Sequence, residues 1–165
     1  MSLARDLQLA RRAKKHGAEH SLRIVWEARR AGIPISLAFA VVEQESGFQN
    51  VFGHDHGGMY PGLSVTKERV AGLIRALREH RGANGVGLTQ LTWPPFVYAA
   101  ERLGGAHLPK NQLRVGFGHL SDLIRHYGTR DGLAAYNAGG PHNRMGQHYA
   151  RLVLDKRDKW HRFLS

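Results

Sequence analysis

Apolar residues recur along this chain at three- and four-residue spacing, the period that places them on one face of a helix. Leu3, Leu7 and Ala10 form such a stripe in a basic first segment that Gly17 ends. Leu22, Val25, Trp26 and Arg29 predict a second helix, closed by Gly32 ahead of Pro34. The third starts near Pro34 or Ser36, proline being suited to a first turn. It runs through the most apolar stretch, ISLAFAVV, to Ser46 and Gly47.

Over residues 47–65 the pattern breaks. Glycine, proline, aspartate and histidine cluster there, which reads as loop or a short hairpin. Thr66 can cap a helix over 66–80 whose stripe is Val70, Leu73, Ile74 and Leu77. A second glycine-rich piece, ANGVGLTQLTWPP, precedes a helix from about Pro95 to Leu103, stopped by Gly104. Asn111 is the expected cap of a helix carrying Leu113, Phe117, Leu120, Ile124 and Tyr127 and ending at Gly128. Gly116 and Gly118 lie inside it. Each costs about 1 kcal/mol against alanine, which points to close approach of another helix. The short DGLAAYNAGG follows, then a last helix from about Arg144 to Trp160 with Tyr149, Leu152 and Val153 on one side. The expected fold is mainly α, with a small irregular or β-hairpin lobe after the third helix.

Length and composition narrow the class. The 165 residues suit one domain, 1–165, with a sizeable core. A hydrophobic share of 42% is that of a globular chain rather than a disordered one. Without cysteine there is no disulfide framework and no thiolate metal site. The longest apolar run falls well short of the roughly 20 residues that cross a bilayer. The basic, amphipathic start lacks the apolar centre of a signal peptide. A soluble protein made without the ordinary export signal is the expectation. The net charge of +11 calls for an anionic partner. Nucleic acid, anionic lipid and a bacterial wall all qualify.

The chemistry concentrates where the third helix ends, in VVEQESGFQN. Val41 and Val42 precede Glu45 by four and three residues and share its face. A carboxylic acid held against apolar neighbours resists ionisation and can serve as a general acid. Glu43 lies about 200° around the helix from Glu45, so the two cannot converge on one bond. One is then functional and the other structural, facing elsewhere, for instance an arginine. Gly85-Val86-Gly87-Leu88-Thr89-Gln90 sets an amide after a tight glycine turn that lets a ligand approach the backbone. Ala135-Tyr136-Asn137-Ala138-Gly139 sets a phenol and an amide beside small residues. Together they supply the donors and acceptors that a sugar requires.

The order ES…GxGLxQ…AYNAG resembles the soluble lytic transglycosylase and goose-type lysozyme superfamily over roughly residues 30–155. Gly32-Ile33-Pro34, the start Leu108-Pro109-Lys110-Asn111-Gln112-Leu113, and Tyr149 with Val153 extend the likeness. The resemblance implies a lysozyme-like fold with a peptidoglycan cleft. Glu45 matches the catalytic acid. Gly87, Leu88 and Gln90 match the turn lining the site. Tyr136 is similarly placed to orient the acid or the sugar, and Asn137 to bind an N-acetyl sugar. Read without the family, Tyr136 is a core aromatic and Asn137 a helix cap.

The sequence also departs from that pattern. The link from ES to the glycine turn is long, and the family's serine in it has no alignable counterpart. Thr89 replaces the methionine of GLMQ. Thr92 stands where goose-type lysozymes have aspartate. Asp55, in the inserted Phe52-Gly53-His54-Asp55-His56-Gly57-Gly58, is the candidate for a second carboxylate. An inverting hydrolase needs two carboxyl groups about 6.5–9.5 Å apart. A lytic transglycosylase needs one, and its product carries a 1,6-anhydro end. The absence of the family aspartate leans toward the second. His54 and His56 flank Asp55 like zinc ligands, but with 11 histidines such pairs arise by chance, and no metal or other cofactor is expected. His16 and His20, four apart, lack the HExxH arrangement and read as a solvated helix face.

The expected substrate is the MurNAc-β-1,4-GlcNAc bond of bacterial peptidoglycan. Arg5, Arg11, Arg12, Lys14 and Lys15 would steer a monomeric enzyme toward anionic wall polymers. A basic helical module for nucleic acid and a wall-binding module without activity are the alternatives. No nucleic-acid-binding signature supports the first. A compact, basic lytic domain also resembles a bacteriophage endolysin or virion lysin. It would be made in the host cytoplasm and act on the wall after release through holin pores.

Overall fold

The computed structural model describes residues 2–165. Among them eight α-helices form: α1 Leu3–Lys15, α2 Ser21–Ala31, α3 Ile35–Ser46, α4 Lys67–Arg78, α5 Pro94–Arg102, α6 Pro109–Tyr127, α7 Thr129–Ala138 and α8 Arg144–Leu164. A 3-10 turn covers Gly87–Thr89. These elements gather into two compact units. One takes the described residues up to Gln44 together with Phe117–Ser165; the other is Glu45–Gly116. The ends of α3 and α6 fall in different units from their bodies.

The first unit is built of helices alone. Ser2 caps α1 by accepting from the Arg5 N–H, and Gly32 closes α2 at a φ of 71°. Asp6 of α1, buried, takes a charge-assisted hydrogen bond from Arg29 of α2 at 2.6 Å. Six successive side chains of α3, Leu37 to Val42, are buried, which is why this helix shows no polar stripe. Each large one contributes up to about 1.5–3 kcal/mol of transfer free energy. Phe39 stacks on Trp160 of α8 with centroids 5.0 Å apart. Where α7 lies on α8, Gly146 is essential: a Cβ there would stand 2.5 Å from the Ala134 carbonyl oxygen.

In the second unit α4 and α5 close over Phe52, Val70, Leu73, Leu77, Val86 and Val97. Thr66 caps α4 as the pattern predicts, accepting from Arg69 N–H at 3.2 Å. The lobe between α3 and α5 is irregular. Isolated antiparallel bridges, Val51 with Ser64, Phe52 with Val86, and Val86 with Leu91, replace the hairpin strands that were the alternative.

Several expectations need correction. Trp26 does not face the core; it is 46% exposed, while Val25 of the same stripe is buried as expected, together with Ile24 and Ala28. Leu3 is exposed too. DGLAAYNAGG forms most of α7, a helix the sequence left unassigned. Asn111 does not cap α6, which begins at Pro109; its amide donates to the Gly105 carbonyl at 2.9 Å. Gly116 accommodates the Thr89 side chain rather than another helix, and nothing lies within 4 Å of a Cβ at Gly118. His16 and His20 share no helix: His16 ends α1 with its ring stacked on Phe163 at 3.8 Å, and His20 precedes α2.

Candidate active site

Helix α3 delivers Glu45 on its last turn and then stops abruptly. Gly47 and Phe48 both turn left-handed, with φ of 57° and 67°. For phenylalanine that conformation costs roughly 1–2 kcal/mol. Burial of its ring offsets the strain. Glu45 is half-buried, and so is Ser46.

The two glutamates of α3 do separate, as the helical angle requires. Glu43 belongs to the helical unit, where both its oxygens accept from Lys159 Nζ at 2.6 and 2.8 Å and one accepts from Trp160 Nε1 at 2.6 Å. Lys156 adds a cation at 3.7 Å. Burial would raise the Glu43 pKa, but the hydrogen bonds from Lys159 and Trp160 and the two ammonium charges together hold it below the ordinary glutamate value. Glu43 is therefore an ionised structural anchor. Its partners are lysines and an indole rather than an arginine.

Glu45 shares the irregular unit with the glycine turn. Gly87, at φ 71°, tolerates no side chain: a Cβ would fall 1.9 Å from Gln112 Oε1. Leu88 is buried, and its N–H donates to that same Oε1 at 3.0 Å. Its carbonyl accepts from Ser46 Oγ at 3.0 Å. The residue following Glu45 is thus tied to the centre of the turn. Thr89 stands in for an apolar residue because its hydroxyl donates to the Gln112 carbonyl at 2.9 Å, in a fully enclosed position.

Gln90 adopts φ 49° and spends its amide hydrogens on Val51 and Gly87 carbonyls at 3.1 and 2.9 Å. Its Oε1 lies over Gly53 and Gly85, 2.3 and 2.6 Å from where a Cβ would stand on each. Asp55 comes to the same place. Its Oδ2 accepts from Gly85 N–H at 2.6 Å and sits 2.6 Å from the Gly53 Cβ position. Gln90 and Asp55 are brought together over two glycines. The His54 ring lies against Gly62, and His56 is exposed. Among the described residues no three His, Asp or Glu side chains gather as metal ligands.

Tyr136 and Asn137 belong to the helical unit, on the last turn of α7 that Gly139 terminates. The Tyr136 ring is flanked by His119 and Tyr149 at centroid distances of 5.8 and 6.5 Å. Burial, only partly opposed by Asp122, lowers the His119 pKa and favours the neutral ring. Asn137 is exposed and lines a pocket of about 440 Å³ with Gln44, Arg144, Met145, His148 and Tyr149.

Sequence reasoning assigned nothing to Gln112, Ser46 or Asn84. Gln112 is fully buried and bonds Leu88, Asn50 and Ala106. Asn84, also fully buried, clips Gly53 O and Tyr60 N at 2.9 and 3.0 Å.

A family model described as the transglycosylase SLT domain matches residues 24–156, a span that includes Glu45, Gln90 and Tyr136. Comparison with curated proteins and with solved structures gives no match.

Proposed function

Given that this chain belongs to the transglycosylase SLT-domain family, whose enzymes act on peptidoglycan, we propose that it cleaves the MurNAc-β-1,4-GlcNAc bond with Glu45 as both acid and base. The observation that carries this reading is the tie from Ser46 Oγ to the Leu88 carbonyl. It fixes the end of α3, and with it the Glu45 backbone, to the glycine turn.

In the first step the Glu45 carboxyl protonates the bridging oxygen as the C1–O bond breaks. Positive charge builds on C1 and the ring oxygen of the MurNAc residue. In the second step the substrate's own 6-hydroxyl attacks C1. The Glu45 carboxylate takes its proton and is restored to the acid. The ring closes to a 1,6-anhydro end and no water is consumed. Tyr136 and Asn137 are assigned to the sugar, the amide to an N-acetyl group. Gly85 and Gly87 shape the turn beside the acid, their N–H groups donating to Asp55 Oδ2 and to the Val51 carbonyl.

Hydrolysis is the second reading. It requires a base for water, and Asp55 is the candidate. The hydrogen bond from Gly85 N–H to Asp55 Oδ2 favours a structural duty for that carboxylate, which leans the proposal toward the transglycosylase product. Mass spectrometry of digested peptidoglycan separates the two. Anhydro-muropeptides are expected. Reducing ends throughout would transfer the reaction to hydrolysis and Asp55, and no released fragments would end the glycosidase reading.

A further inference from the structure

Outside the residues assigned to cleavage, α1, α2 and their connection enclose a second pocket, of about 470 Å³. Leu7, Ala10 and Leu22 contribute apolar surface, and Trp26 lies beside them, 46% exposed. An exposed tryptophan in a concave apolar site is unusual, because burying an indole is among the larger gains a helix can make. Arg11, Lys14 and Arg23 line the same pocket against a single acid, Glu19. Cleavage as proposed uses none of these groups.

We propose that this pocket is an accessory binding site for the glycan strand of peptidoglycan, with Trp26 as the platform for a sugar ring. The inference rests on the reading of peptidoglycan as substrate. The electron-rich indole face attracts the partly positive C–H bonds of a pyranose, and a rigid aromatic loses little freedom on binding. The three cations match the carboxylates that peptidoglycan carries on its stem peptides. His20 supplies a polar contact. It is held left-handed at φ 57° between the helices, and burial and the nearby Arg23 lower its pKa despite Glu19. A neutral imidazole offers one donor and one acceptor, which suits a hydroxyl. The basic N-terminal helix thereby acquires a purpose beyond long-range steering: it holds the enzyme on an insoluble strand between cuts.

The test uses the full chain with Glu45→Gln, so that the polymer stays intact, and measures its retention on purified sacculi. Adding Trp26→Ala is expected to weaken retention about tenfold, with Trp26→Tyr restoring much of it. Lys14→Glu with Arg23→Glu, both exposed, is expected to weaken retention and flatten its salt dependence, with the melting temperature measured alongside to exclude loss of fold. Cleavage of a short soluble glycan by the otherwise wild-type protein should not change with Trp26→Ala. Equal retention with and without Trp26, or a parallel fall in short-glycan cleavage, overturns the proposal. So does release of the bound protein by single-stranded nucleic acid more readily than by soluble glycan. If retention depends on Trp26 but the wild-type protein releases no fragments, the accessory site stands and the glycosidase reading falls.

Discussion

In the unit made of α1, α2, most of α3, the second part of α6, α7 and α8, helices satisfy the backbone and apolar side chains fill the interior. In the unit from Glu45 to Gly116, much of the backbone leaves the helix, and side-chain amides take over. Gln112, Asn84, Asn111 and Gln90 bond main-chain groups that no helix or sheet serves. Buried backbone polar groups must be paired, so an irregular lobe needs such amides where a bundle does not. The difference has a functional side. The amides hold the motif turn buried and internally bonded, a fixed element to which the end of α3 carrying Glu45 is tied.

Gln112→Met keeps the volume and removes three hydrogen bonds. Stranding Leu88 N, Asn50 Oδ1 and Ala106 O should cost about 3–5 kcal/mol in urea unfolding. Phe39→Leu in the helical unit should cost only about 1–2 kcal/mol, because neighbouring side chains can close in. Comparable costs for the two would erase the distinction.

Glu43 is, with Asp6, one of the charged side chains anchored within the helical unit, and Glu43→Gln should cost about 1–2 kcal/mol. Its pH dependence is diagnostic. The folded pKa lies below the unfolded one, so this stability is complete above the unfolded value and is lost as pH falls through the folded value. Melting temperatures of wild type and Glu43→Gln should differ at about pH 7 and converge near about pH 3. A gap that persists in acid would assign the anchoring to shape rather than charge.

Ser46→Ala should cost about 1 kcal/mol and leave the fold intact. Turnover should fall further than that, about tenfold, because the end of α3 loses its tie to the turn. A rate unaffected by the change would make the Ser46–Leu88 bond merely structural.

The helices with clear periodicity and a stop signal were legible from sequence: α1 through α6 and α8 lie close to where the apolar stripes and Gly17, Gly32, Thr66, Gly104 and Gly128 predict. What escaped depended on partners distant in sequence. Gly132 argued against a helix at α7, yet its missing side chain is what the packing demands, a Cβ there lying 2.8 Å from the Ile124 backbone. Trp26 reads as core on hydrophobicity alone, but its face of α2 is turned to the pocket beneath α1. Among candidate site residues, the motif order was readable, and so was the structural duty of one of the two glutamates, which falls to Glu43. The amide network was not, because a buried glutamine looks in sequence like any polar residue on a helix. The polar Thr89 finds its reason only once Gln112 is seen beneath it.

The measurement that bears most directly on the whole account is the rate at which Glu45→Gln releases soluble muropeptides from purified peptidoglycan, beside wild type at equal fold and concentration. Loss of the only acid and base assigned to the bond should lower that rate about a thousandfold or more, with retention on sacculi preserved. A variant that still releases fragments within a few-fold of wild type would contradict the assignment of the chemistry to Glu45.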